Sequence, residues 1–306
     1  MSDRSPAKYL VIYHAGCRDG LVAASVCAHV ASQCGRLDET VFHAARYGSY
    51  PPWELLDPAV TRVVVVDFSY PPEQMVELLH RSKELQWFDH HKTAIPALSA
   101  LEPLRRQNDA FVCDMGASGA LLAARAASPQ GAPDLTKRAS IIYTDDYDRW
   151  TKKIAGCDAF KLGADLLWPV DSDPAKVYQE VLSDDLAGYA LEIGGHLLKA
   201  QAVRVRLQAR QARRVKGSSP NLVTVAVNAT CDPNELGDYL TAQEPPADVA
   251  AIYYQTSKGT WRVSLRSRRG VDVSEIAATF PNGGGHAGAA GFEVPDYPAD
   301  FLSPFV

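Results

Sequence analysis

Six short stretches of this sequence concentrate residue types that do chemistry. They are His14-Ala15-Gly16-Cys17-Arg18-Asp19-Gly20, Asp67, Asp89-His90-His91, Asp145-Asp146-Tyr147-Asp148-Arg149-Trp150, Arg266-Ser267 and Gly283-Gly284-Gly285-His286. In the first four, carboxylates recur with imidazoles. That donor set suits manganese, with zinc or iron as substitutes. A bridging carboxylate can hold two metals about 3.5–4 Å apart, an arrangement suited to phosphoester hydrolysis. Each piece also has a plainer reading. Asp67 can cap the turn after its strand, and His14 can be a satisfied core histidine. Asp145, Asp146 and Asp148 can be a helix-end charge cluster, although a cation would relieve their crowding. Asp89-His90-His91 is harder to leave without a use, because two imidazoles and a carboxylate at one strand end are costly to bury.

The surrounding elements must bring these pieces together. Residues 8–14 read as a buried strand, and 62–70, with four consecutive valines, as a central parallel strand covered on both faces. Further strands are expected over 40–47, 84–91 and 111–114, and helices over 21–34, 73–83, 117–127 and 135–143. This alternation predicts a doubly wound, mainly parallel α/β domain over 1–172. In such a sheet the carboxyl ends of the strands share one crevice, so strand-end aspartates and histidines converge.

Residues 173–182 and 185–216 read mostly as helix, although Gly194-Gly195 weakens the second. Together they make an expected helical connector over 173–219. The second stretch ends in a basic run of Arg204, Arg206, Arg210, Arg213, Arg214 and Lys216, which suits a solvated face or a track of phosphate contacts. Beyond it, strands over 221–228, 250–255 and 261–267 and helices over 232–241 and 273–280 predict a smaller α/β domain over 220–306.

Composition bounds the function. The chain has 306 residues, 46% hydrophobic and 22% charged, which is an ordinary globular balance. A net charge of −5 gives no global basic field for nucleic acid. Its apolar runs are far shorter than a membrane span needs, and the amino terminus lacks the apolar stretch of a secretory signal. Six cysteines, none in a CxxC pair, argue against a structural zinc site and for a reduced, cytoplasmic compartment.

Taken in order, these motifs resemble the DHH phosphoesterase superfamily, whose central motif stands here as Asp89, His90 and His91. The carboxyl-terminal half resembles the DHH-associated domain, through Gly283-Gly284-Gly285-His286 followed by Ala289-Ala290-Gly291-Phe292, and through Arg266-Ser267 upstream. The resemblance implies metal ligands at His14, Asp19, Asp67, His90 and Asp146, with Asp67 bridging two ions and Asp145 and Asp148 as rivals of Asp146. Cys17 stands where the family places its first aspartate and is expected as a further, softer metal ligand beside His14. Asp89 would orient an imidazole by hydrogen bonding. His91 would face the substrate phosphate, where an imidazole could protonate the leaving oxygen. Arg266 and Ser267 with Gly283, Gly284, Gly285 and His286 would bind substrate. The physics of those residues agrees: glycines let backbone N–H groups approach a phosphate or base, and arginine can grip a phosphate with two bonds. A glycine-rich turn without a ligand is the plainer alternative.

These features imply a metal-dependent phosphodiesterase. Two manganese ions are expected as cofactors, with magnesium, zinc or iron as substitutes. The partners expected by resemblance are short single-stranded oligonucleotides, in a nanoRNase-like exonuclease role, with no membrane and with a homodimer compatible. Hydrolysis of linear or cyclic dinucleotides or of 3′-phosphoadenosine 5′-phosphate is the alternative, with exopolyphosphatase behind it. A nucleotide-binding protein with a degenerate metal site, suggested by Cys17, is a rival of a different class.

Overall fold

Side-chain alternation along five strands decides how the first part of the chain is layered. The computed structural model describes residues 6–128, 132–268, 270–281 and 283–305. In it β1 (Tyr9–His14) leads through α1 (Arg18–Gln33) to β2 (Thr40–Ala45), and β3 (Arg62–Val66) through α2 (Pro72–Arg81) to β4 (Glu84–Asp89). After α3 (Ile95–Leu101) comes β5 (Ala110–Cys113). The strands form one parallel sheet in the order β2-β1-β3-β4-β5.

Leu10, Ile12, Val63, Val65, Leu85 and Trp87 point to one face and pack with Met75, Leu78 and Leu79 of α2 and Leu101 of α3. Val11, Tyr13, Val66 and Phe88 point to the other. There they meet α1, α4 (Gly119–Ala127), α5 (Ala139–Asp148) and α6 (Cys157–Leu167). Burying both faces of a parallel sheet in this way is what the valine-rich strand requires. The doubly wound fold expected from the sequence is the fold observed. Helices α3 and α6 were not expected; α3 has only seven residues, too few to show a helical period.

The stretch expected as a separate connector over 173–219 is shared out instead. Helix α7 (Pro174–Val181) joins the first core through Val181, and its Tyr178 hydroxyl donates to Ser32 Oγ of α1 at 2.9 Å. Helix α8 (Asp184–Ala209) crosses the boundary between two compact units, Met1–Leu198 and Lys199–Val306. Gly194 does not break it. A Cβ there would lie 1.7 Å from the Ala159 carbonyl oxygen, so glycine allows α8 and α6 to touch backbone to backbone. The helix stops seven residues earlier than expected, and β6 (Arg213–Val215) follows. The basic run is therefore split between a helix, a turn and a strand. Arg204 pairs with Asp232, Arg213 donates to the Tyr297 hydroxyl, and Arg214 lies over the Phe305 ring.

In the second unit β7 (Thr224–Asn228), α9 (Pro233–Ala242), β8 (Val249–Gln255) and β9 (Trp261–Ser267) come first. They are followed by α10 (Val273–Ala278), β10 (Gly284–His286), β11 (Ala289–Val294) and α11 (Ala299–Leu302). The mixed sheet runs β10-β11-β9-β8-β7-β6, with β7 and β8 parallel and the other pairs antiparallel. Helices α10 and α11 cover one face and α9 the other. Among the described residues no helix is long and apolar enough to cross a membrane.

Candidate metal centre

Strand order fixes where the chemistry gathers. His14 ends β1, Asp67 follows β3 directly, and Asp89 ends β4 with His90 and His91 just beyond. Strand order reverses between β1 and β3, and the crevice at such a switch point is where open α/β sheets bind ligands. Asp67 adopts a left-handed backbone (φ 55°) uncommon for a residue other than glycine. Its amide donates to the Phe88 carbonyl at 2.9 Å, and Trp87 Nε1 donates to the next carbonyl, Phe68, at 2.9 Å. These bonds hold the turn and the fully buried Asp67 carboxylate in place.

Asp67 stands between two imidazoles. Its Oδ2 is 3.6 Å from His14 Nδ1, and its Oδ1 is 3.0 Å from His90 Nε2. The same His90 nitrogen lies 3.5 Å from Asp19 and 3.4 Å from Asp148. Burial opposes ionisation of Asp67, but the imidazoles of His14, His90 and His91 outweigh it and hold the carboxyl well below its ordinary range. Asp19 is pushed the other way, by burial and then by Asp67 and Asp148. Burial also lowers the tendency of His90 to ionise, yet its bond to Asp67 and the charges of Asp148 and Asp67 raise it overall.

Asp89 organises the loop that carries the histidines. Its Oδ1 accepts from the amides of His90 (2.7 Å) and His91 (3.2 Å) and from His91 Nδ1 (2.7 Å). A carboxylate only accepts, so the His91 proton sits on Nδ1 and Nε2 is the ring's remaining polar atom. Burial opposes protonation of His91, but the bond to Asp89 and the charges of Asp89 and Asp67 raise its pKa.

Asp19 is held from the opposite direction. Its oxygens accept from the amides of Gly119 (2.6 Å) and Ala120 (2.8 Å) at the start of α4. A Cβ on Gly119 would lie 2.5 Å from Asp67 Cβ, so only glycine lets this helix end approach both aspartates. Sequence reading missed Gly119; the Ser118 N-cap, whose hydroxyl accepts from the Leu121 amide, was the signal available. It also missed Tyr47, whose ring lies 5.3 Å from that of His14.

Three donor groups have all their ligand atoms within 4.8 Å of one another: His14, Cys17 and Asp67; Asp19, His90 and Asp148; and Asp67, Asp89, His90 and His91. His14 Nδ1, Asp67 Oδ2 and Asp89 Oδ2 are buried without a hydrogen-bond partner among the described residues. Unpaired buried acceptors beside crowded carboxylates are a poor apolar core and a good cation site. The donor set therefore fits divalent metal. Cys17 is the exception in chemistry: burial and then the charges of Asp67 and Asp19 raise its thiol well above the ordinary value.

The fourth motif is corrected. Asp146, the residue expected as ligand, does not join the cluster. Its carboxylate accepts from the Thr151 hydroxyl and from the amides of Lys153 and Ile154, both at 3.0 Å, and ties down the turn after α5. Asp145 accepts from the Ser118 amide and from Arg149. On a helix these neighbours point apart, and the third, Asp148, is the one that reaches His90.

The carboxyl-terminal motif also departs from expectation. Arg266 is not free to grip a phosphate with two bonds: Nε and Nη2 donate to Asn234 Oδ1, and Nη1 donates to the Leu265 carbonyl. The Ser267 hydroxyl donates to the Val271 carbonyl. Gly283 is needed for packing, since a Cβ would meet the Ala277 carbonyl oxygen at 1.8 Å. Gly284, Gly285 and His286 form the exposed edge strand β10 rather than a loop. Arg266, Gly284 and Gly285 still line a cavity of about 690 Å³ in this unit, together with Arg262.

Residues 220–303 match the DHHA1 domain family. The chain is 25% identical over 233 residues to an uncharacterized protein of Acanthamoeba polyphaga mimivirus, a match covering 75% of this chain and 52% of that protein. It thus spans about half the length of this curated relative. Among solved structures it is similar to the DHH domain of a member of the s1p family of ribosomal proteins, with TM-score 0.58 and 14% identity over 95% of this chain and 82% of the other. It is similar to an exopolyphosphatase-related protein from Bacteroides fragilis, with TM-score 0.52 and 12% identity over 96% and 88%. Exonuclease RecJ bound to manganese gives TM-score 0.51 and 14% identity over 94% and 86%. Identities this low speak to the fold.

Proposed function

We propose that the chain, whose residues 220–303 match the DHHA1 domain family, is a metal-dependent phosphodiesterase of the DHH superfamily acting on short oligonucleotides. The observation that carries this reading is the convergence of Asp67 with His14 on one side and His90 on the other, each beside further ligand atoms. In this reading His14, Cys17 and Asp67 would hold one ion, and Asp19, His90 and Asp148, with Asp67, would hold the other. Manganese is the ion of choice, supported by the donor chemistry and by the manganese in the RecJ structure. Bound divalent ions would neutralise phosphodiester charge and lower the pKa of a coordinated water.

The chain's own residues do the rest. Asp89 fixes the ring of His91 through Nδ1 and leaves Nε2 toward substrate. With its pKa raised, His91 carries a proton to give to the leaving oxygen. Tyr47, edge-on to His14 and tilted against Phe68, forms one rim of the site. Within the second unit, Arg266 acts as a brace between β9 and α9.

The test is hydrolysis of a substrate panel by the purified protein with manganese: RNA and DNA graded upward from dinucleotides, cyclic dinucleotides and 3′-phosphoadenosine 5′-phosphate. Cleavage of the shortest oligonucleotides is expected, lost on chelation and restored by manganese. Failure to cleave any member, with bound metal verified, overturns the proposal.

A further inference from the structure

A cavity of about 400 Å³ lies at the far end of the first sheet from the metal centre. The centre gathers at the carboxyl ends of the strands. The cavity begins at their amino ends, where Tyr9, Arg62 and Glu84 open β1, β3 and β4. Its floor is the side of the sheet that carries Val11, Val64 and Phe88, and its walls are α1 and α4. A parallel sheet needs both faces covered. Here the covering side chains are short: Ala31 of α1 and Ala123, Ala126 and Ala127 of α4 line the space they leave open. Along α1, Cys27, Val30 and Cys34 recur at i, i+3 and i+7, so they form one wall about 10 Å long. The volume falls within the range of small-molecule pockets.

The charged and amide side chains of this cavity stand at one end. Arg36 follows α1, Arg62 and Glu84 start their strands, and Gln86 is two residues further on. Glu84 is already spent: Oε2 accepts from Arg62 Nε at 3.3 Å, and Oε1 accepts from Gln86 Nε2 at 3.0 Å. Arg36 has no carboxylate partner among the described residues. Its guanidinium lies 5.1 Å from the centroid of the Tyr9 ring, and that of Arg62 lies 5.8 Å from the same centroid. The mouth thus carries two guanidiniums against one carboxylate, and the depth is apolar. The complement is an anionic amphiphile, with an acyl chain for the walls and a carboxylate for Arg36. A free phosphate offers nothing to the valines, and a neutral hydrocarbon leaves the arginine unused.

We infer that this cavity binds a medium-chain fatty carboxylate, with its chain between the sheet and helices α1 and α4 and its head group at Arg36. This is a ligand site apart from the metal centre, and it does not depend on the phosphodiesterase reading.

Calorimetric titration of the full chain with hexanoate, octanoate and decanoate, each below its micelle concentration, tests it. Affinity should rise about fourfold per added methylene, the effect of burying one CH₂. Decanol, which lacks the charge, should bind about threefold more weakly than decanoate. Ala31→Leu fills the cavity from a half-buried position with another good helix former, so the fold should stand. It should weaken decanoate at least about tenfold. Arg36→Glu, at an exposed position, should weaken decanoate at least about threefold and leave decanol unmoved. Cys34 gives a second readout, since its thiol is exposed whereas burial pushes that of Cys27 up to about 12. Decanoate should slow alkylation of Cys34 in the wild-type protein and not in Ala31→Leu. Affinity that ignores chain length, or that Ala31→Leu leaves unchanged, overturns the inference. So does an Arg36→Glu variant that binds decanoate as the wild type does. A protein that sediments as a dimer and binds no member of the series has the cavity covered by a second copy, which overturns it as well.

Discussion

The metal centre and the glycine-edged surface of the second unit treat their polar groups in opposite ways. At the centre, His14 Nδ1, Asp67 Oδ2 and Asp89 Oδ2 are buried without a hydrogen bond among the described residues, and carboxylates crowd one imidazole nitrogen. In the second unit Arg266 and Ser267 spend their donors on Asn234 and backbone carbonyls, and β10 is exposed throughout. Unspent bonding capacity marks where a charged ligand is to be held. A surface whose side chains are already satisfied can contribute only shape and backbone. The first region should therefore govern turnover and the second affinity.

The largest effect should come from exchanging one oxygen at the centre. Asp67→Asn should lower kcat at least about a hundredfold, because its charge would serve both proposed ions, with the circular dichroism spectrum retained. Arg266→Ala should chiefly raise KM. Equal losses of kcat in the two variants would erase the distinction between the regions.

Next come two aspartates two residues apart. Asp148→Asn should weaken manganese binding about tenfold or more, as loss of a ligand or its close partner does. Asp146→Asn should leave manganese affinity in place and lower Tm instead. Burial opposes ionisation of Asp146, yet bonds from Thr151, Ile154 and Lys153 bring its pKa down to about 2. The folded value lies below that of an unfolded aspartate, near 3.9. Its stabilisation is thus complete above about pH 4 and is lost as pH falls toward 2. Acid unfolding of Asp146→Asn should lack that part of the slope. A manganese titration shifted by Asp146→Asn would reverse the assignment.

The glycines sharpen the contrast further. Gly119→Ala drives a methyl into Asp67 and should cost about 1–3 kcal/mol in chemical denaturation along with activity. Gly284, where an added Cβ meets nothing within 4 Å, should accept alanine within about 0.5 kcal/mol.

Smallest is Cys17. Replacing its high-pKa thiol by a hard oxygen, in Cys17→Asp, should tighten manganese at the site it shares with His14 and raise manganese-dependent turnover severalfold. Identical stoichiometry, affinity and rate in Cys17→Asp and Cys17→Ser would show that the side chain is not a ligand.

The sheet was legible because its strands state their burial in their composition: Arg62-Val63-Val64-Val65-Val66 leaves little choice but a covered parallel strand. The strand-end residues were legible for the same reason, since a period of two and a parallel sheet bring His14, Asp67 and Asp89 to one edge. What could not be read was side-chain direction around a helix end. Asp145, Asp146 and Asp148 are alike in the sequence, and tertiary partners such as Ser118, Thr151 and His90 decide which faces the site. The same holds for Arg266, whose partner Asn234 lies 32 residues away. Strands as short as β6 and β10, three residues each, leave no period to detect.

The two amides at the head of α4 have a bearing on how the protein is supplied with its ion. They fasten Asp19 from within the scaffold, so the protein itself sets where that carboxylate stands. Loading asks for no refolding. Stripping and refilling should be reversible, and occupancy should track the free concentration of the cation outside. If the proposed activity depends on that ion, a cell could then adjust it through metal supply, with the amount of protein unchanged.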